Sequence, residues 1–313
     1  MDPLRALNIR QGYFTRNDVL ALGYDDRDIR RSLKAKAWRR LRVGTYTHAD
    51  LWPEDPEVRH RIVGHSVATK LGASVALSHV TAAVHHHLRL WGPDLSVQHV
   101  TRLDGGAGRS ESGVVHHEGF LIDNDLMTRD GLVLTTPARA ALETASLVTA
   151  EEGLVTLDSV LHKGLCTHEE LLATYAVMQF WPGMQRVGVT ARMADAGGES
   201  VGESRTRYLA YAQGLPAPET QFEVCDPLGA LVAVCDLAWR KYKLLVEFDG
   251  RIKYGRLLRP GEEPGEAVWR EKIREDAIRE LLPDWHIIRL IWADLYDPIR
   301  TAARLRRYMV VAA

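Results

Sequence analysis

The chain has 313 residues, with 40 Lys and Arg against 41 Asp and Glu, and three cysteines. That length predicts two or three domains, each large enough to bury its own core. A net charge of −1 excludes nucleic-acid binding through overall charge, and the cysteines, lacking metal spacing, exclude a disulfide framework. There is no basic-then-apolar leader, no apolar run of membrane-spanning length and no repeat of roughly 20–50 residues. The expectation is a cytoplasmic, multi-domain protein with no membrane partner.

At the N-terminus, Thr15 is a sound cap for a short helix that Gly23 closes, and Asp25 or Asp26 caps the next. Ile29, Leu33 and Ala37 are spaced to form one apolar face of that second helix. Arg27, Arg30, Arg31, Lys34 and Lys36 fill the remaining surface, and Arg39, Arg40 and Arg42 follow on a strand-like run. Helix, turn, basic helix and basic wing describe a winged helix-turn-helix, whose second helix enters the major groove while clustered cations release counterions from phosphates. The other reading of this charge run is an ordinary solvated face.

The segment resembles the N-terminal winged helix of AbiEi-type antitoxins. The matching residues are Gly12-Tyr13-Phe14-Thr15, the Arg30-Arg31 helix, and Trp38-Arg39-Arg40-Leu41 with Gly44-Thr45-Tyr46. The resemblance implies operator binding, repression of the chain's own promoter and a cognate toxin as partner.

Residues 53–150 predict a small α+β module. Helices are expected over Val58–Leu71, over Ser78–Leu88 with Ser78 as cap, and over Ala138–Val148 after Pro137; strands are expected over Leu95–Thr101 and Gly113–Leu121. Gly105-Gly106-Ala107-Gly108 reads as a hairpin turn between those strands. The many histidines, among them His79, His85, His86, His87, His99, His116 and His117, suggest zinc, but consecutive helical residues point about 100° apart and cannot converge on one ion. Core and surface histidines are the expectation. Residues 151–197 predict a helical connector broken near Gly164 and Trp181-Pro182-Gly183.

The C-terminal part, residues 198–313, carries the chemistry-bearing pattern. A strand over Leu231–Trp239 holds Asp236, and a second over Lys243–Asp249 holds Glu247 and Asp249 on one face. Arg240-Lys241-Tyr242 is short enough to be the turn between them, bringing Asp236 beside the pair. Carboxylates crowded on an apolar strand suit a hard cation such as Mg²⁺ or Mn²⁺; the alternative is three acids that solvate a sheet edge. A helix carrying Glu203 precedes them, and a charged helix over Trp269–Arg279 with a strand over Trp285–Trp292 follows. Cys225 and Cys235 fall in neighbouring strand-like runs and read as small buried residues.

This order resembles the PD-(D/E)XK nucleases of the very-short-patch-repair branch, on the Glu203 helix, the Asp236 strand, Glu247-Phe248-Asp249-Gly250, Arg274-Glu275-Asp276 and Trp292-Ala293-Asp294-Leu295. The resemblance implies a restriction-endonuclease-like α/β domain in which Asp236, Glu247 and Asp249, with Glu203, hold Mg²⁺ or Mn²⁺, and Arg274 and Arg279 contact phosphates. One departure is plain: the family's lysine position holds Asp249, leaving Lys253 as the substitute, with Lys243 and Lys272 behind it. Two functions follow. The first is a metal-dependent endonuclease of a defence, repair or toxin–antitoxin-like system, with residues 1–52 positioning DNA; the second is a non-enzymatic antitoxin-like regulator on a degenerate nuclease fold.

Overall fold

A computed structural model describes residues 2–250 and 264–309. The chain falls into two compact units, Met1–Leu88 with Gly92–Leu147, and Arg89–Trp91 with Val148–Ala313. The winged helix and the middle module thus cluster in one unit, the connector and the C-terminal part in the other.

The first unit opens with helices α1 (Pro3–Gln11), α2 (Arg16–Ala21) and α3 (Asp26–Lys34), and strands β1 (Phe14–Thr15), β2 (Trp38–Arg42) and β3 (Thr45–His48) ordered β1-β3-β2. Both expected caps form: Thr15 and Asp25 each close a reciprocal capping box, with Asp18 and Asp28. Gly23 takes a φ of +85°, which glycine adopts without steric cost. Leu4, Phe14, Val19, Ile29 and Tyr46 form the core, with Leu33 and Trp38 packed against it. Ala37 departs from expectation: α3 stops at Lys34, so Ala37 leaves the helix and is exposed.

The rest of this unit is a six-stranded sheet with helices α4 (Pro56–Leu71), α5 (His79–His85) and α6 (Pro137–Leu147). Its strands are β4 (Val75–Leu77), β5 (Gln98–Arg102), β6 (Arg109–Glu111), β7 (Val114–His117), β8 (Leu126–Arg129) and β9 (Leu132–Thr135), ordered β6-β7-β5-β4-β9-β8. The glycine-rich segment at 105–108 is not a hairpin turn, because β5 and β7 pair in parallel. The hairpin lies between β6 and β7 instead, at Ser112 and Gly113, both with positive φ. Ser78 precedes α5 without capping it through its side chain; its hydroxyl bonds the His79 ring at 2.9 Å.

Helix α6 is buried over almost its whole surface, including Arg139 and Glu143, which are 1% and 2% exposed. The two pair at 2.9 Å, and Arg139 also reaches Asp125 at 2.6 Å. Glu143 accepts from Thr135 Oγ1 and the His79 N–H, so each carboxylate oxygen is engaged.

Three of the histidines form a packed cluster in this unit. His79, His99 and His117 stack, with centroids of His79 and His117 3.6 Å apart and His99 Nδ1 2.9 Å from His117 Nε2. Burial holds His99 down to about 3 and His117 to about 4, and with the neighbouring imidazoles keeps His79 well below its ordinary value. The folded state therefore binds fewer protons than the unfolded chain below about pH 6.5, so stability is full above that pH and is lost as pH falls toward the folded values. On that basis the first unit should be less stable at pH 5 than at pH 7.5, by up to about 2 kcal/mol for each of the three imidazoles held neutral. Urea unfolding at the two pH values checks this, and His117→Gln should remove one imidazole's share of the difference.

The second unit contributes α7 (Ala150–His162), α8 (His168–Met178), α9 (Val187–Met193) and α10 (Val201–Ala212). Strands β10 (Glu219–Cys225), β11 (Leu231–Trp239) and β12 (Leu244–Phe248) follow, then α11 (Pro264–Leu281), β13 (His286–Leu290), α12 (Trp292–Leu295) and α13 (Pro298–Arg306). The sheet order is β10-β11-β12-β13; the first three strands are antiparallel in sequence, and β13 runs parallel to β12 after the α11 crossover. Strand β10 adds one antiparallel partner to the expected helix, strand, strand, helix, strand order. Leu244, Val246 and Phe248 face α10, α12 and α13 in one core layer, while Leu245 faces Ile278 of α11 in another. Gly202 lets α10 approach β12 closely, since a Cβ there would fall 2.0 Å from the Phe248 ring. Cys235 is buried, but Cys225 is exposed.

The short segment Arg89–Trp91 belongs to this unit. Trp91 stacks flat on Trp292 with centroids 5.5 Å apart, the Arg205 guanidinium lies 4.8 Å from the Trp91 ring centroid, and the Arg89 N–H bonds Ser159 Oγ at 2.8 Å.

Candidate nucleic-acid interface and acidic cluster

Helix α3 turns Ile29 and Leu33 to the core, and the surface that carries its cations faces solvent. Arg27, Arg30, Arg31 and Lys34 are all exposed, as are Arg39 and Arg40 on β2. Arg31 makes one ion pair, with Asp28 at 3.0 Å, and its side chain remains 77% exposed. Such a surface pair costs little to exchange for a phosphate. Arg42 differs from its neighbours: the register of β2 shifts between Arg40 and Arg42, and Arg42 is half-buried, its charge disfavoured by burial.

In the second unit, β11 and β12 pair through Leu237 opposite Val246, so Asp236 and Glu247 stand one residue beyond that pair on adjacent strands. The expected juxtaposition is present. Its chemistry is different from a bare acidic pair. Asp236 Oδ2 accepts the Phe248 N–H at 2.7 Å. Glu247 Oε1 accepts from Arg274 Nη2, and Oε2 lies 3.6 Å from Arg289 Nε. Arg274 also donates to the Val234 carbonyl, and Glu275 joins Arg289 at 2.9 Å and Arg279 at 2.7 Å. Arg274 and Arg279, expected on phosphates, are therefore engaged with carboxylates.

Glu203 serves the helix it sits on. Its carboxylate accepts from Ser200 Oγ at 2.6 Å and from the Glu199 N–H at 3.0 Å, closing the start of α10. Asp249 donates its N–H to the Leu290 carbonyl, extending the β12–β13 ladder. Lys243 precedes β12, at the end remote from Glu247, and pairs with Asp284 at 3.1 Å; it does not stand in for the missing lysine. Lys272 is exposed on α11, and Lys253 lies outside the described residues. A Mg²⁺ or Mn²⁺ ion needs several free oxygen ligands. Among the described residues no three acidic, histidine or cysteine side chains are arranged to hold a metal, and the guanidinium groups on Glu247 already balance its charge. As they stand, the residues do not fit the cation.

The paired arginines are what sequence reading missed. The signal was present in Arg274 and Arg289, one on the charged helix and one on the strand beside Glu247, with β12 and β13 setting Glu247 opposite Arg289.

Residues 2–47 match the family model described as the transcriptional regulator AbiEi antitoxin. Two curated relatives, the uncharacterized proteins MT2308 and Rv2248 of two Mycobacterium tuberculosis strains, are each 28% identical over 252 residues, covering 79% of this chain and 82% of the relative. The crystal structure of the RV2827C protein from Mycobacterium tuberculosis aligns with a TM-score of 0.40 at 16% identity, over 71% of this chain and 87% of that one. The N-terminal part of this chain is thus similar to an AbiEi-type regulator domain. No helix among the described residues is long and apolar enough to cross a membrane.

Proposed function

We propose that the protein is a DNA-binding transcriptional regulator of antitoxin type, in which α3 enters the major groove and β2 contacts the backbone. One observation carries this reading: the family match at residues 2–47 coincides with a helix whose outward surface bears Arg27, Arg30, Arg31 and Lys34. A cognate toxin, encoded under the repressed promoter, belongs to the same reading. Fluorescence anisotropy with DNA from upstream of the chain's own gene, against scrambled DNA of equal length, tests it. Preference for the upstream DNA supports the regulator; equal, weak binding to both overturns it.

A Mg²⁺- or Mn²⁺-dependent endonuclease is the second reading, favoured by the adjacency of Asp236 and Glu247 after α10. Arg274 argues against it. On the regulator reading, supercoiled plasmid should remain intact with either cation, and Arg274→Ala should act on stability alone. Losing one of the two guanidinium groups at largely buried Glu247 should lower stability by about 1–3 kcal/mol. Cation-dependent nicking by the wild-type chain that Asp236→Asn abolishes would restore the enzyme.

A further inference from the structure

Arg42 is the one wing arginine turned toward the protein rather than left wholly in solvent. It borders two cavities, of about 480 and 420 Å³. Its Nε–H is buried and has no hydrogen-bond partner within the protein. Burial disfavours the charge of this guanidinium, and an anion against the part of the side chain that borders the cavities would balance it.

The larger cavity suits an organic molecule. Trp52, Pro56, Val63 and Leu95 give it apolar walls, and its volume lies within the range of small-ligand pockets, roughly 300–1,000 Å³. Its polar groups are fixed. His60 bonds the Leu95 carbonyl at 2.8 Å and Thr81 at 3.0 Å, and burial keeps its pKa below the ordinary value. Arg59 donates to the Pro53 carbonyl and lies 5.8 Å from the Trp52 ring centroid. The acid on the rim, Asp94, is exposed and already accepts the Ser96 N–H at 2.8 Å. On the other side of Arg42, the smaller cavity adds Arg40, Lys70 and Arg109 against Glu111. Cations outnumber acids along this lining, and Glu111, whose charge acts on Arg42, is itself paired with Arg109 at 3.3 Å.

We propose that this cavity binds a small organic anion, a carboxylate or phosphate on a flat apolar body, with the charged group on Arg42 and the body against Trp52 and Leu95. Arg42 shares β2 with Arg39 and Arg40, and the register shift lies between Arg40 and Arg42. Drawing Arg42 onto a ligand therefore acts on the strand that carries the wing's exposed cations, and the occupied cavity alters the grip on DNA. This last step rests on the regulator reading; ligand binding does not.

Calorimetry on the full chain with benzoate, phenyl phosphate and neutral benzyl alcohol tests the site. At least one anion should bind saturably and the alcohol should not; whichever anion binds more tightly assigns carboxylate or phosphate. Arg42→Gln should weaken that binding about tenfold or more, as loss of a charge-assisted hydrogen bond does. Ser96→Trp, at an exposed rim position that leaves the core untouched, should block it as well. No saturable binding to the wild-type chain, or equal binding by the folded variants, overturns the site. Upstream-DNA affinity measured with and without the bound anion should shift several-fold in wild type only; an unchanged affinity overturns the regulatory step while the calorimetric result stands. If the chain does not prefer its upstream DNA at all, the regulator reading fails by itself and the calorimetry still decides the cavity.

Discussion

Reversing Arg30 and Arg31 together to glutamate should weaken DNA binding by roughly two orders of magnitude at moderate salt and lower the slope of log affinity against log salt by about 1.8. The arithmetic follows from counterion release, in which each phosphate neutralised contributes about 0.9 to the slope. Both side chains lie on the exposed face of α3, and only Ile29 of that helix is buried, so the fold should survive the change. Arg31 gives up its pair with Asp28, an exposed contact of little worth. Anisotropy titrations at four or five salt concentrations measure the slope directly. An unaltered slope would place both arginines off the DNA and turn the winged helix toward a protein partner.

The largest effect on stability is expected at Arg139. Arg139→Met keeps an unbranched side chain of similar length but leaves Glu143, 2% exposed, without its cation. Breaking a buried pair in this way costs about 3–5 kcal/mol. Burial already raises the Glu143 pKa, and Arg139 opposes that shift; without the guanidinium the folded pKa climbs further. A raised folded pKa means the folded state holds a proton that the unfolded chain releases. Relative to the wild type at the same pH, the variant should therefore lose least below the unfolded value of about 4.3 and more as pH rises toward the folded one. Urea unfolding at pH 5 and pH 8 should show the loss growing with pH, and a loss independent of pH would mean that Glu143 stays charged.

Local chemistry made the winged helix legible. Thr15, Asp25 and Gly23 act within four residues of themselves, and a cap needs no distant partner to form. The adjacency of Asp236 and Glu247 was readable for a similar reason, since a short turn fixes the register of an antiparallel pair. The six-stranded sheet was not readable, because β4 meets β9 across more than fifty residues through the single pair Leu77 and Leu134, and three-residue strands carry almost no alternation. The glycine-rich segment misled for the same reason: turn residues announce a reversal, but not which strands it joins. For the acids, sequence supplied the carboxylates and not their counter-charges. Whether Glu247 faces a cation or an arginine depends on where the α11 crossover returns the chain, and that is a property of the packed sheet.

Arg89–Trp91 lies between stretches of the first unit yet supplies the second with the flat stack on Trp292, the ring beside Arg205 and the bond to Ser159. The second unit is therefore not continuous in the sequence. A fragment that starts at Val148 would retain every helix and strand of its sheet and still lack the three half-buried residues of this segment, leaving one face of the Trp292 indole without its stacking partner. Exchange of whole domains by simple end-to-end gene fusion would meet the same obstacle, because a single breakpoint cannot carry this tryptophan along with the partner it covers.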